Sequence, residues 1–81
     1  NLPEARLRLA ETRRALGRVA ESVPEYEAAV ALDPALGDAW VGGAQALVAL
    51  GRTADARQWI TRARTLHPER PELAALEQRL R

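Results

Sequence analysis

The sequence predicts an all-α fold of five helices arranged as antiparallel hairpins. Three observations carry that prediction. The chain repeats itself at a spacing of 34 residues: Leu16-Gly17-Arg18 falls on Leu50-Gly51-Arg52, Leu32 on Leu66 and Pro34 on Pro68. In both copies a glycine follows the first Ala/Leu-rich run and a proline follows the second. No stretch shows sustained alternation of β-branched residues, so strands are not expected.

Each helix has its own warrant. The first is predicted over 3–16 and closes at Gly17, where a glycine takes the left-handed conformation cheaply. The second, 19–32, stops ahead of Pro34, which cannot continue it. Pro24 lies inside this span. Either the helix kinks there, or it starts late with Ser22 as N-cap and Glu25 completing a capping box; the late or distorted start is the expectation. The third helix, 37–50, ends at Gly51 and contains Gly42-Gly43. Two helical glycines cost about 2 kcal/mol against alanines. A close helix–helix approach accounts for them, with a soft, bendable spot as the alternative. The fourth helix, 53–66, stops before Pro68. The fifth, 70–80, carries Leu73, Leu76 and Leu80 as one apolar stripe expected to cover residues 37–66, while Glu72, Glu77, Gln78, Arg79 and Arg81 face water.

Composition bounds the function. Eighty-one residues allow one small domain. Hydrophobic residues make up 47% of the chain but aromatics only 4%, so the core must come mainly from Ala and Leu. The absence of cysteine removes disulfides and thiolate chemistry. His67 is the only histidine, so a histidine-based zinc site is not expected. No run approaches the ~20 apolar residues of a membrane span. No secretory leader is visible, which favours the cytoplasm. The chain begins with Asn1 rather than Met, so it is expected to be a piece of something longer.

All 12 basic residues are arginine, which fits a GC-rich genome, and the net charge is +1. That balance does not make an electrostatic trap for nucleic acid. Charge is uneven, however. Residues 19–32 hold Glu21, Glu25 and Glu27 and no arginine, while 53–66 hold Arg57, Arg62 and Arg64 against Asp55. Those two helices could attract each other between copies of the chain, although exposed pairs contribute only ~0–1 kcal/mol.

The repeat carries a resemblance. Residues 37–70 supply Trp40, Ala44, Leu47, Leu50, Gly51, Ala56, Ile60, Ala63 and Pro68; residues 3–36 supply Leu9, Ala10, Leu16, Gly17, Ser22, Tyr26, Ala29 and Pro34. With its 34-residue period the chain resembles the tetratricopeptide repeat family. The resemblance implies a right-handed superhelix with repeats at 3–36 and 37–70 and a solvating C-terminal helix at 71–81. Arg6 and Arg13 depart from it, standing where the family usually has Trp and Tyr. That suits a first repeat whose outer side lacks a neighbour. Gly43 stands where Leu is usual.

The resemblance also implies a site. In this family the first helix of each repeat lines a concave groove that holds an extended peptide or a helix. By register those positions are Glu4, Leu7, Glu11 and Arg14, then Asp38, Val41, Gln45 and Val48, then Glu72, Ala75 and Arg79. Leu7, Val41 and Val48 would give apolar contact and Gln45 a backbone amide contact. Arg14 and Arg79 would pair with acids, and Glu4, Glu11 and Asp38 with bases. One subtype clamps C-terminal carboxylates with Lys and Asn; here there is no Lys and the only Asn is Asn1, so that subtype is disfavoured. Trp59 is a second anchor candidate, with core packing favoured.

Catalysis is not expected. Thr12, Ser22, Thr53, Thr61 and Thr65 have one conceivable base, His67, which lies in a turn where a histidine is usually a surface residue. No phosphate loop and no metal-ligand spacing occur, so no cofactor is expected. The pentatricopeptide design, which binds RNA, would need a 35-residue period and a basic groove, and neither is met. The expectation is a non-catalytic protein-interaction module with a protein or peptide partner. The alternative is an accessory or self-association domain of a larger enzyme or assembly factor.

Overall fold

The computed structural model describes residues 2–81. Five helices follow in order: α1 (Leu2–Ala15), α2 (Val19–Leu32), α3 (Gly37–Ala49), α4 (Thr53–Leu66) and α5 (Pro71–Arg79). No strand occurs among the described residues. α1 pairs with α2 and α3 with α4, and α3 lies at the centre, touching each of the other four helices.

The two inner turns are the same structure. Gly17 and Gly51 have φ of 83° and 72°, the only positive values among the described residues. Around the first, the Gly17 amide donates to Arg14 O at 3.0 Å and Arg18 to Arg13 O at 2.8 Å. Around the second, Gly51 donates to Val48 O at 3.0 Å and Arg52 to Leu47 O at 3.1 Å. This paired pattern satisfies the last carbonyls of the helix and requires the left-handed residue that only glycine supplies cheaply. The outer turns also match: Asp33 donates to Ala29 O at 2.9 Å and His67 to Ala63 O at 2.8 Å. So the 34-residue register holds at the level of individual amides, through the start of α5.

Three expectations need correction. α2 starts at Val19 and runs through Pro24 without a late start. Ser22 is no N-cap; it is fully buried, and its hydroxyl donates to Val19 O at 2.6 Å inside the helix. Packing of Val23, Tyr26, Ala29 and Val30 on one side of α2 outweighs the local proline signal. His67 is not a surface residue but buried. Its Nε2–H donates to Pro34 O at 2.9 Å, and Trp40 Nε1 donates to the same carbonyl at 2.8 Å. One turn of the first hairpin is thereby tied to the second hairpin. Glu77 is half-buried rather than facing water, because it holds Arg64 at 2.6 Å.

Gly42-Gly43 serves close approach, but by side chains. A β-carbon on Gly42 would lie 2.5 Å from Tyr26 Cε1, and one on Gly43 would lie 2.3 Å from Trp59 Cζ2. The bare stretch of α3 therefore receives an aromatic ring from α2 on one residue and from α4 on the next. Trp59 also donates from Nε1 to Trp40 O at 2.7 Å, and the two indoles sit 4.9 Å apart at 54°. Trp59 is a core residue, as favoured. Leu73 and Leu76 of α5 are buried against the same core and Leu80 packs at its edge.

Candidate functional site

A cavity of about 570 Å³ opens between α1 and α3, floored by α2. α1 contributes Glu11, Arg14 and Ala15; α2 contributes Tyr26; α3 contributes Asp38, Val41, Gly42 and Gln45. Helical spacing makes this possible. Glu11 lies three and four residues before Arg14 and Ala15, and Asp38 precedes Val41, Gly42 and Gln45 by three, four and seven, so each set forms one stripe. Because α1 and α3 share one register, the two stripes face the same side.

The floor is a hydrogen-bonded set. Arg14 Nη1 donates to Gly42 O at 3.0 Å and to the Tyr26 hydroxyl at 3.4 Å. Arg14 is half-buried and Tyr26 is 1% exposed. Burial pushes the Tyr26 phenol above its ordinary value, Arg14 opposes that, and the Glu11 carboxylate adds to it. The phenol therefore stays neutral and able to accept. At the rim, Asp38 Oδ1 accepts from Arg70, and that bond raises the Arg70 guanidinium further above its usual range.

The cavity brings together Glu11, Arg14, Asp38, Val41 and Gln45. The other expected groove positions lie outside it. Glu4 is exposed two turns before Glu11 on α1, and Val48 is half-buried against the core. Glu72, Ala75 and Arg79 are exposed on α5. Leu7 turns inward, 8% exposed, so the apolar contact expected of it goes to the core instead. Ala15, Tyr26 and Gly42 line the cavity without having been singled out for it. Ala15 and Gly42 were readable, each four residues from an expected position. Tyr26 was not, because its place on the second helix reads as core.

A second cleft of about 380 Å³ runs on the opposite side between α2 and α4, over Val30, Leu47 and Trp59. Some charges of those two helices are engaged within the molecule. Glu25 pairs with Arg6 and Glu21 with Arg13, while Arg64 pairs with Glu77 and Arg57 donates to Leu80 O. Arg62 lies 5.3 Å from the centre of the Trp40 ring. Glu27 of α2 and Arg57 and Arg62 of α4 have no ion-pair partner among the described residues.

The residues considered for acid–base chemistry do not meet. Ser22, Thr61 and Thr65 donate to carbonyls of their own helices, and His67 Nε2 faces Pro34 O. No group of metal-ligating side chains gathers among the described residues, and no described helix is long and apolar enough to cross a membrane.

Helical hairpins stacked at one repeat register, with a cavity on the side lined by their first helices, define a helical-repeat protein. The sequence profile of the tetratricopeptide repeat family matches residues 13–80. The chain belongs to that family, whose members are typically non-catalytic and mediate contacts between proteins. No curated protein matches the chain.

Proposed function

We propose that the chain is a scaffold or adaptor module that binds an extended peptide or helix along the side formed by α1 and α3. In this reading residues 3–36 and 37–70 are the two repeats, 71–81 the closing helix, and the whole a part of a larger protein. The observation that supports it best is the cavity itself. Five of the groove positions assigned by register, Glu11, Arg14, Asp38, Val41 and Gln45, line one opening. Pockets with an apolar wall and a few convergent polar groups are the usual form of a binding site. Glu4 and Val48 extend the same face at its ends, and Glu72, Ala75 and Arg79 continue it on α5.

Random dodecapeptides selected on the 81-residue chain test this reading. Ala15→Trp and Gln45→Trp fill the cavity and are expected to weaken the selected binders about tenfold or more, the effect of losing a central contact. Thr65→Trp, on the exposed face of α4, adds the same ring elsewhere and is expected to leave them within about twofold. Binders indifferent to both cavity variants would remove the groove reading.

A further inference from the structure

We propose that the cavity between α1 and α3 takes a cationic side chain, arginine or lysine, of the bound peptide. The inference rests on the groove reading above and names what that groove selects.

Charge decides it. The cavity is lined by two carboxylates, Glu11 and Asp38, and one guanidinium, Arg14. Arg14 lies three residues on from Glu11, close enough for a pair along the helix. Instead it reaches across to α3, with Nη1 on Gly42 O and the Tyr26 hydroxyl. Five acids elsewhere are matched by arginines, Glu21, Glu25, Asp55, Glu72 and Glu77, while Glu4, Glu27 and Asp33 are not among the described residues. Glu11 is exposed and has no ion-pair partner among the described residues. Asp38 is bound by Arg70 through Oδ1 alone. Gln45 makes no side-chain hydrogen bond among the described residues and adds an acceptor on the α3 side of the cavity.

An acidic side chain entering this space would meet two carboxylates, one of them held by Arg70, and an arginine whose Nη1 is already bonded while its Nε and Nη2 are not. A basic one would meet open acceptors on both walls. Val41 and Ala15 supply apolar surface for the methylene stem that Lys and Arg carry beneath their charge. The influence of Glu11 on the Tyr26 phenol agrees with a carboxylate whose field reaches the floor.

The test uses labelled nonapeptide pools, randomised except for a central Arg, Lys, Leu or Glu. Each is titrated onto the chain and onto its Glu11→Gln and Ala15→Trp variants. The Arg and Lys pools are expected to bind about three- to tenfold tighter than the Leu and Glu pools, as charge-assisted contacts at a half-open site do. That preference should shrink in ~0.5 M salt. Glu11→Gln should bring it to within about twofold, and Ala15→Trp should abolish binding of every pool. Pools that bind alike, or a preferred Glu pool, with Ala15→Trp still blocking, overturn the cationic selection and leave the groove standing. Binding untouched by Ala15→Trp, or no binding by any pool, overturns both.

Discussion

Arg6 and Glu25 of the first hairpin occupy the positions that Trp40 and Trp59 occupy in the second, 34 residues later. In the first hairpin the pair is an ion pair at 3.0 Å, with Arg6 still 44% exposed. In the second it is two indoles 4.9 Å apart, 1% and 6% exposed. The backbone is the same in both, down to the amides of the glycine turns. What differs is the neighbour. α3 lies against α2, so its Trp40 face is dry, and a charge there would have to be desolvated at a cost of several kcal/mol. Among the described residues nothing lies against the equivalent face of α1, and water keeps the arginine soluble. Bulk moves with this change. Leu9 is 37% exposed on α1, while Gly43 at the equivalent place on α3 gives its room to Trp59. The repeat register sets where the chain turns, and the presence of a neighbour sets what the side chains are.

The sharpest way to break that comparison is to truncate both partners and compare the losses. Trp59→Ala removes a buried indole, its bond to Trp40 O and its contact with Gly43. Large-to-small core changes of this kind cost about 3–5 kcal/mol. Glu25→Ala, at the matching position, should cost about 1 kcal/mol or less. Urea unfolding of the two variants measures both. Equal losses would mean that the second hairpin is not the dry one.

The glycine pair gives the next largest effect. Alanine at either position gains about 1 kcal/mol of helix propensity. Against that, its β-carbon meets Trp59 at 2.3 Å or Tyr26 at 2.5 Å, on ring atoms of packed side chains. Overpacking of this degree typically costs about 1–3 kcal/mol, so Gly43→Ala and Gly42→Ala should both be net destabilising. In a Trp59→Leu background Gly43→Ala should turn neutral or stabilising, since only the propensity gain is left. Thermal unfolding of the single and double variants decides it. A destabilising Gly43→Ala in both backgrounds would show that the glycine answers to the backbone and not to the ring.

The helices and their turns were legible because they depend on local rules. A glycine after an Ala/Leu run, a proline after the next and a period of 34 constrain the backbone with no knowledge of contacts. The site was legible in outline, since helical spacing alone puts Glu11 and Arg14 on one face and Val41 and Gln45 on another. What the sequence did not show is where a side chain spends its bonds. Arg14 was placed in the groove, but its spacing gives no sign that it holds a carbonyl of α3. His67 was expected at the surface, and it bridges to Pro34, 33 residues away. Such contacts join elements through space, so no spacing rule reports them. Pro24 failed in the other direction: a strong local signal for a late start gave way to the packing of α2 against its neighbours.

The smallest effect, and the closest test of the contrast, is the coupling between Arg6 and Glu25. A double-mutant cycle with Arg6→Ala and Glu25→Ala should give about 0.2–1 kcal/mol at low salt, the range for pairs with one partner in water. Glu25 is only 14% exposed, which favours the upper end. Arg13 complicates the reading, because its Nε lies 3.7 Å from the other oxygen of Glu25. The cycle is therefore run a second time in an Arg13→Ala background. If Arg6 and Arg13 share the carboxylate, the Arg6 coupling should grow there by a few tenths of a kcal/mol. In ~1 M salt both values should fall toward zero, as they must for charges that water still reaches. A coupling above about 2 kcal/mol that ignores salt would describe a desolvated pair. The outer face of α1 would then be as closed as that of α3, and the difference between the hairpins would lie in chemistry alone and not in exposure.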